Sequence, residues 1–344
     1  MTLAPRSGNE PTAVIWAGVD RLIDRADGSG LVFHRLEPLA ARRLRELGRD
    51  VPEDLVETER LGAAFALAAS AHLARARAAV EGPLLLVKGP EVAARYPDPS
   101  LRISRDLDLV HPDAEAAQRA LLAAGFVEAG DPGVYARAPH LLPLGWPGLP
   151  VEVEVHARPN WPRWLEAPSA EELLEGARPS AAGVEGVLAP VPERHVLVVA
   201  AHAWTHGPLA RARDVLDVAL LSVEADRREV DRLASAWGIA KLWRTTDALA
   251  ASLLLGEAPP RALRSWAKNL GQVRERTVLE QHVARWRCWF DAFPPSLALR
   301  AALDEVGQDL SPEPGESWSA KLRRSRRAVR NAFVRKSAHD REAK

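Results

Sequence analysis

The stretch LLLVKGPEVAARYPDPSLRISRDLDLV, residues 84–110, decides the fold of this chain. Its first apolar run, residues 84–87, predicts a short buried strand that ends in a tight turn at Lys88-Gly89. Proline is tolerated at the first position of a helix, so Pro90 predicts a short helix after the turn. Asp106–Val110 then predicts a second strand, and the two strands begin an α/β unit.

Helical periodicity surrounds this unit on both sides. Apolar residues recur at helical spacing before residue 80 and again from residue 192 onward, including one helix over 260–270. Between them, the apolar–polar alternation of residues 151–156 predicts a half-buried strand, and Asp131-Pro132-Gly133 predicts the turn of a hairpin over 126–136. We expect an α+β protein, in which a small mixed sheet with its helices is flanked by N-terminal helices and a C-terminal helical domain. The predicted segments are 1–80 (N-terminal helices), 81–190 (α/β domain), 191–310 (C-terminal helical domain) and 311–344 (linker and basic tail).

Bulk composition excludes several classes of protein. The 344 residues carry 46 Lys plus Arg and 46 Asp plus Glu, so no overall field attracts nucleic acid or membrane. One cysteine, Cys288, excludes an intramolecular disulfide framework and a multi-cysteine zinc site. No apolar run approaches the roughly 20 residues that span a bilayer. We therefore expect a cytoplasmic protein without a membrane segment.

Two aspartates dominate the chemistry of the second predicted strand. Side chains of a strand alternate between its faces, so Asp106 and Asp108 point to the same side. Two adjacent carboxylates on a buried strand repel each other, and a divalent cation that prefers oxygen ligands relieves this repulsion. A later strand offers Glu152, Glu154 and His156 on one face. Acids in this arrangement are typical of a two-metal site for phosphoryl or nucleotidyl transfer.

The turn that closes the first strand suits a phosphate ligand. Gly89 lets a triphosphate approach the backbone, and Lys88 adds a point of positive charge. Lys88 is one of only two lysines before residue 267, since this chain otherwise uses arginine. Arg102, Ser104 and Arg105 lie close to the aspartates and are further candidates for nucleotide contacts, although either arginine could instead pair with a nearby acid.

Five ordered motifs resemble the uncharacterised nucleotidyltransferase family of the DNA polymerase β-like superfamily. They are LVKGP (86–90), YPDPSLR (96–102), RDLDLV (105–110), LAAGF (122–126) and EVH (154–156). The resemblance covers residues 84–160 and extends more loosely to His202 and Asp217. It implies a polymerase-β-like palm that transfers a nucleoside monophosphate (NMP) from a nucleoside triphosphate (NTP) and releases pyrophosphate.

On this resemblance, Asp106 and Asp108 are the first two acids of a catalytic, metal-binding triad. Glu154 is the expected third acid, with Glu152 as the alternative. The resemblance implies two Mg²⁺ ions on this triad. The residues expected to hold the NTP are Lys88, Gly89, Arg102, Ser104, Arg105, His156, His202 and Asp217. The wider superfamily has Gly-Gly or Gly-Ser at the phosphate turn, so Lys-Gly-Pro predicts a different grip on the phosphates.

Two features of the helical part have competing interpretations. His202 and His206 lie one helical turn apart on an otherwise apolar face, which is more typical of packed histidines than of ligands. The functional interpretation places His202, with Asp214 or Asp217 of the next helix, along the nucleotide or acceptor side of a cleft. Residues 321–336 carry eight Lys or Arg and no acid, which indicates a solvated tail or, less readily, an RNA contact.

The predicted activity is Mg²⁺-dependent transfer of an NMP from an NTP to a hydroxyl, phosphate or amine. A small-molecule or peptide acceptor, for instance in natural-product biosynthesis, fits a neutral chain better than a long nucleic acid does. Three alternatives stay open: a toxin-like enzyme that modifies tRNA, a transferase that uses a nucleotide sugar, and a non-catalytic nucleotide-binding accessory protein.

Overall fold

A computed structural model of the chain describes residues 16–21, 28–130, 140–205, 211–258, 260, 276–312, 315–330, 332 and 335–336. Within these ranges the protein is an α+β structure with helices before, around and after one seven-stranded sheet, which confirms the predicted fold class. The predicted turn at 131–133, His206 and all but the first residue of the predicted helix over 260–270 lie outside the described residues.

The sheet consists of seven short strands in the order β3-β4-β5-β2-β1-β7-β6. The strands are β1 (Leu84–Leu86), β2 (Asp106–Val110), β3 (Val127–Glu128), β4 (Leu144–Gly145), β5 (Glu152–His156), β6 (Arg178–Pro179) and β7 (Val187–Ala189). A separate two-stranded ladder pairs β8 (Arg276–Thr277) with β9 (Arg335–Lys336). In the main sheet β2 is parallel to β5 and antiparallel to β1. The strand that carries the two aspartates is therefore the central one.

Helices lie before, between and after the strands along the chain. Up to residue 174 they are α1 (Gly28–His34), α2 (Glu37–Glu46), α3 (Glu53–Ala79), α4 (Pro90–Ala93), α5 (Ala114–Ala123) and α6 (Ala170–Leu174), with a 3₁₀ turn at Pro99–Leu101. Further along they are α7 (Pro192–Thr205), α8 (Ala212–Ser222), α9 (Arg227–Ala236), α10 (Ala240–Leu255), α11 (Val278–Ala292), α12 (Pro295–Leu310) and α13 (Trp318–Arg330). The helical regions expected on either side of the sheet are thus present.

Successive apolar side chains of β2 belong to two different core clusters, because they point to opposite faces of the strand. Leu107 and Leu109 belong to a core cluster formed with α3 and α5. Val110 belongs to a larger cluster formed with α7, α8 and α10. Asp106 and Asp108 share a face of the strand with Val110, because strand side chains alternate with a period of two. The two acids therefore point toward the C-terminal helices.

The long helix α3 supports the segment that leads into β2. Its alanine-rich sequence favours a helix, and Glu53 and Asp54 in the first turn complement the helix dipole. At Gly62 a Cβ atom would lie 2.4 Å from the carbonyl oxygen of Ser100. A side chain at this position would clash with backbone, so glycine is what allows α3 and the 3₁₀ turn to approach so closely.

Some details differ from the sequence-based expectation. β3 pairs antiparallel with β4, which lies at 144–145 and therefore outside the hairpin expected over 126–136. β4, β6 and β7 were not predicted, since strands of two or three residues leave no periodic signal. Within the region from residue 192 onward that was predicted to be helical, α9 and α10 are separate helices, because Gly238 with a φ of +71° follows the end of α9. The division into four segments stays a prediction, since both core clusters draw on more than one of them.

Part of the basic C-terminal stretch is helical. α13 covers Trp318–Arg330, and the Nζ of Lys321 donates a hydrogen bond to the carbonyl oxygen of Asp309 over 2.5 Å. This bond ties the start of α13 to the end of α12. Within the described ranges, no helix combines the length and the apolar character that a membrane crossing requires.

His72 on α3 is a buried histidine whose ring nitrogens have no hydrogen-bond partner among the described residues. Its ring packs edge-on against Phe126, with the centroids 5.3 Å apart. Burial, and then the charge of Arg75, lowers the pKa of His72 to about 4. The folded pKa lies below the unfolded value of about 6.5, so the unfolded chain binds the proton more tightly. The neutral ring of His72 therefore contributes fully to stability above the unfolded pKa of about 6.5. This contribution is lost as the pH falls towards the folded pKa of about 4.

We expect this titration to appear in the pH dependence of unfolding. Between about pH 7.5 and about pH 5, the wild type should lose about 1–2 kcal/mol more unfolding free energy than His72→Leu, which has no group to protonate. Urea unfolding of both proteins at both pH values measures the difference. Equal losses in the two proteins would assign the acid sensitivity to other groups.

Candidate active site

The parallel register of β2 and β5 brings three potential metal ligands together. Asp108 lies opposite Glu154 in the ladder, and Val110 lies opposite His156. The Nε2 of His156 is 3.5 Å from the Oδ1 of Asp108 and 3.7 Å from the Oε2 of Glu154. The donor atoms of Asp108, Glu154 and His156 all lie within 4.8 Å of one another. These three residues form what we call the ligand cluster, and they could hold a divalent cation.

Asp108 is ionised although it is buried, with 2% of its surface exposed. Burial by itself would raise the pKa of this carboxyl. The contact with His156 and the charges of Lys88 and His202 outweigh burial and hold the pKa well below its usual range. The Oδ2 of Asp108 has no hydrogen-bond partner within the described part of the chain. A buried, ionised carboxylate oxygen without a donor is a suitable ligand for a cation.

His156 is the positively charged member of the ligand cluster. Burial would lower the pKa of its ring, but the carboxylates of Asp108 and Glu154 raise it to about 9. The imidazolium thus supplies charge that a bound cation would otherwise bring. Two carboxylates suit Mg²⁺ or Mn²⁺, and the ring adds a nitrogen ligand when it is deprotonated. The residues present therefore fit a divalent metal.

Lys88 approaches the ligand cluster from the end of β1. Its Nζ lies 2.6 Å from the Nε2 of His202 on α7, within hydrogen-bond distance. A small cavity of about 10 Å³ lies here, and its polar wall consists of Lys88, Asp108, His156, Asn160 and His202. That is space for about one water or ion. A nucleotide would therefore have to lie at the open side of the cluster, beyond this cavity.

A second histidine fixes α7 to the sheet. The Nε2 of His195 donates to the carbonyl oxygen of Val87 over 2.8 Å. Burial lowers the pKa of His195, so the ring is neutral and the bond needs no counter-ion. The amide of Val87 in turn donates to the carbonyl oxygen of Asp108 over 3.1 Å. These bonds hold His202, two helical turns further along, beside Lys88.

Gly89 shapes the turn between β1 and α4. Its backbone has a φ of +63° and a ψ of −127°, which side chains of L-residues rarely tolerate. A Cβ atom there would also lie 3.0 Å from the carbonyl oxygen of Asp106. The turn can cross the first residue of β2 only because position 89 is glycine.

Arg102 belongs to a buried network behind this turn. Its Nε and Nη2 donate to the two carboxylate oxygens of Asp217 over 2.8 and 2.7 Å. Its Nη1 donates to the Oγ of Ser104 over 2.7 Å and to the carbonyl oxygen of Gly89 over 3.3 Å. The hydroxyl of Tyr96 also donates to Asp217, over 2.8 Å. Three residues predicted to contact the nucleotide therefore bind one another here and hold the Gly89 turn.

The outer end of β2 is the open side of the ligand cluster. Asp106 is half-exposed and pairs in register with the exposed Glu152. Burial, and then the charges of Glu154 and Asp106, raises the pKa of Glu152, so acids are concentrated at this edge. The ligand cluster includes Glu154 but neither Glu152 nor Asp106. Arg105 lies apart from the cluster, with its guanidinium 5.7 Å over the ring of Phe65 on α3.

Two arginines near Asp106 were not predicted from the sequence. Arg213, on α8, donates from Nη1 to the carbonyl oxygen of Ile103 over 3.1 Å. Arg35 has a φ of +54°, a left-handed conformation that is uncommon for residues other than glycine. Burial, and then the charges of Arg213 and Arg211, lowers the pKa of Arg35 to about 10, whereas the charges of Asp214 and then Asp106 oppose this shift. The sequence gives no signal for this group, because arginine is frequent and the contacts are long-range.

Two further residues at the site were also missed. The Nε2 of His140 lies 3.7 Å from the Oε2 of Glu154. Asn160 lines the small cavity and follows His156, the last residue of β5, by four positions. A polar residue just beyond a strand that carries ligands is a signal that could have found Asn160. His140 has no such signal.

Comparison with known families identifies the family of the chain. A sequence model of the family described as uncharacterised nucleotidyltransferase matches residues 30–257, about two thirds of the chain. The chain belongs to this family, which confirms the family predicted from its motifs. The matched region contains the ligand cluster, the Gly89 turn and the Arg102–Asp217 pair, and it ends before α11. No curated protein and no solved structure matches the chain.

The geometry of Gly89 predicts a loss of stability on substitution. Gly89→Ala should cost about 2 kcal/mol or more, because it combines a strained backbone with a contact 3.0 Å from the Asp106 carbonyl oxygen. Gly48→Ala is the matched control, since its φ is +66° but a Cβ there meets nothing within 4 Å. The control should lose about 1 kcal/mol. Urea unfolding measures both variants, and equal losses would contradict the close approach at Gly89.

The ligand cluster predicts which acids bind a metal. Asp108→Asn and Glu154→Gln should each weaken the binding of Mn²⁺ by about tenfold or more, since each removes a charged oxygen ligand. Glu152→Gln is the control, because Glu152 lies two residues away on the same strand but outside the cluster. Titration followed by electron paramagnetic resonance reports free Mn²⁺. A larger loss in Glu152→Gln than in Glu154→Gln would assign the third acid to Glu152.

Proposed function

We propose that the protein is a divalent-metal-dependent nucleotidyltransferase. It moves an NMP from an NTP to a hydroxyl, phosphate or amine of a small-molecule or peptide acceptor in the cytoplasm, with Mg²⁺ as the ion. Membership of a nucleotidyltransferase family supports the general class of reaction. The identity of the ion and of the acceptor belongs to the proposal.

The observation that carries this proposal is the position of the ligand cluster. Asp108, Glu154 and His156 converge at the parallel pair of β2 and β5, and the ammonium of Lys88 lies across the same small cavity. Carboxylates for a metal beside a cation for phosphate are what transfer of a nucleotidyl group requires, since positioning and charge neutralisation provide most of its catalysis.

Each part of the site has a proposed role in the reaction. A divalent cation, when bound, neutralises the charge of the phosphates and of the leaving group. Asp108, Glu154 and His156 would hold that cation, and Asp106 would join Asp108 in holding the second ion predicted from the sequence. The acceptor atom forms a bond to the α-phosphorus while the bond to the bridging oxygen breaks, and pyrophosphate leaves with the electron pair. The acceptor proton leaves to solvent at the open, acidic edge beside Asp106.

The triphosphate is proposed to lie along the open side of the cluster. Lys88 and the arginines near Asp106, above all Arg35 and Arg213, provide positive charge there. His202 orients the Lys88 ammonium through the 2.6 Å contact. Arg102, Ser104 and Asp217 act as positioning residues, because their side chains hold the Gly89 turn. Arg105, over the Phe65 ring, is the weakest of the predicted nucleotide contacts.

Pyrophosphate release tests this proposal. The protein is incubated with Mg²⁺, each NTP and a panel of small-molecule and peptide acceptors, while pyrophosphate and product mass are followed. Asp108→Asn should lower kcat/KM by about 100-fold or more. Arg35→Ala should raise the KM for NTP by about tenfold with kcat little changed, because Arg35 contacts phosphate outside the ligand cluster.

Glu115→Gln on α5 is the matched control, since this acid is 78% exposed and should leave the rate unchanged. Full activity of Asp108→Asn would contradict the proposal. NTP binding without pyrophosphate release for every acceptor would favour the accessory-protein alternative. Activity on tRNA that disappears when residues 318–344 are removed would favour the toxin-like alternative.

A further inference from the structure

A second pocket lies beside α4. It is bounded by α4, by the edge formed by β6 and β7, and by the C-terminal end of α8. Its volume is about 460 Å³, within the range of about 300–1,000 Å³ that is usual for small-molecule sites. It shares no lining residue with the cavity at the ligand cluster. The pocket is therefore a separate site.

A buried ion pair forms one wall of this pocket. Glu91 has no exposed surface, and its Oε2 accepts hydrogen bonds from the Oγ of Ser180 over 2.5 Å and from the amide of Ala181 over 2.8 Å. Its Oε1 accepts from the Nη1 of Arg95 over 2.5 Å. The carboxylate of Glu91 is thus fully bonded, and it fixes the guanidinium of Arg95 at the pocket.

An exposed carboxylate lies between this arginine and a second one. The Oε1 of Glu224 is 3.4 Å from the Nε of Arg95, and its Oε2 is 3.4 Å from the Nη2 of Arg178. Both distances exceed the roughly 2.7–2.9 Å of a strong charge-assisted hydrogen bond. The Nε of Arg95 is buried and makes no hydrogen bond among the described residues. Glu224 therefore lies between the two guanidinium groups, bonds Arg178 weakly and leaves the Nε of Arg95 without a hydrogen bond in the described part of the chain.

The rest of the lining is apolar and gives room for the body of a ligand. It consists of Ala94, Pro179, Ala181, Ala189, Leu220 and Val223. We propose that this pocket binds a small organic acid. Its carboxylate takes the place of Glu224 between Arg95 and Arg178, and its apolar part packs on Leu220 and Val223. Guanidinium groups match the planar geometry of a carboxylate, which favours this class of ligand.

Displacing Glu224 costs little, because its side chain is 43% exposed and returns to water. None of the residues of this pocket belongs to the ligand cluster or to the Gly89 turn. Failure of one proposal therefore leaves the other intact.

Binding of 4-fluorobenzoate, followed by fluorine NMR on the full chain, tests this inference. Arg178→Ala should weaken binding by about tenfold or more, because it removes one guanidinium. Glu224→Gln should strengthen binding by about threefold or more, because the competing carboxylate is gone. If Arg178 and Glu224 formed only a surface ion pair, the two substitutions would not change the affinity for the probe in opposite directions. 4-Fluorobenzyl alcohol, which lacks the carboxylate, should not bind.

Arg158→Ala is the matched control, because Arg158 is also 48% exposed and pairs with Glu166 over 3.2 Å outside the pocket. It should bind the probe like the wild type, as should Lys88→Ala, in which the ammonium beside the ligand cluster is removed. Absence of binding to the wild type would overturn the inference. So would wild-type affinity in Arg178→Ala, an unchanged or weaker affinity in Glu224→Gln, or loss of binding in Lys88→Ala.

Discussion

The parallel register of β2 and β5 is the constraint on which the proposed chemistry depends. Side chains alternate along a strand, so a shift of one residue would turn Glu154 and His156 away from Asp108. The opposite face prevents that shift, because Val153 and Val155 are fully buried in the core beneath α3 and α5. Hydrophobic burial on one face of the sheet thus fixes the ligands on the other.

The helical part of the chain is held to this sheet by two buried polar links. Arg102 joins the segment before β2 to Asp217 on α8, and His195 joins α7 to the end of β1. Removing one partner of a buried ion pair such as Arg102–Asp217 typically costs about 3–5 kcal/mol. Arrangements of the two elements that separate this pair are therefore strongly disfavoured. The consequence is that α7 can present His202 to Lys88, across the cavity from the ligand cluster.

Local patterns in the sequence predicted much of this architecture, whereas long-range contacts did not follow from them. Apolar runs and alternation gave β2 and the face that Asp106 and Asp108 share, and proline with helical spacing gave α7. Arg102 and Asp217 were predicted to contact nucleotide, but 115 positions separate two residues that bind each other. Arg35 was missed for the same reason, since only folding brings it near Asp106.

The position of a bound metal relative to Asp108 tests the central claim most directly. Crystals of the protein grown with Mn²⁺ and a non-hydrolysable NTP analogue would locate the ion by its anomalous scattering. We expect Mn²⁺ within about 2.0–2.4 Å of carboxylate oxygens from Asp108 and Glu154, with the triphosphate extending from the ion past Lys88 towards Arg35. A nucleotide bound elsewhere, or Mn²⁺ bound without Asp108, would contradict it.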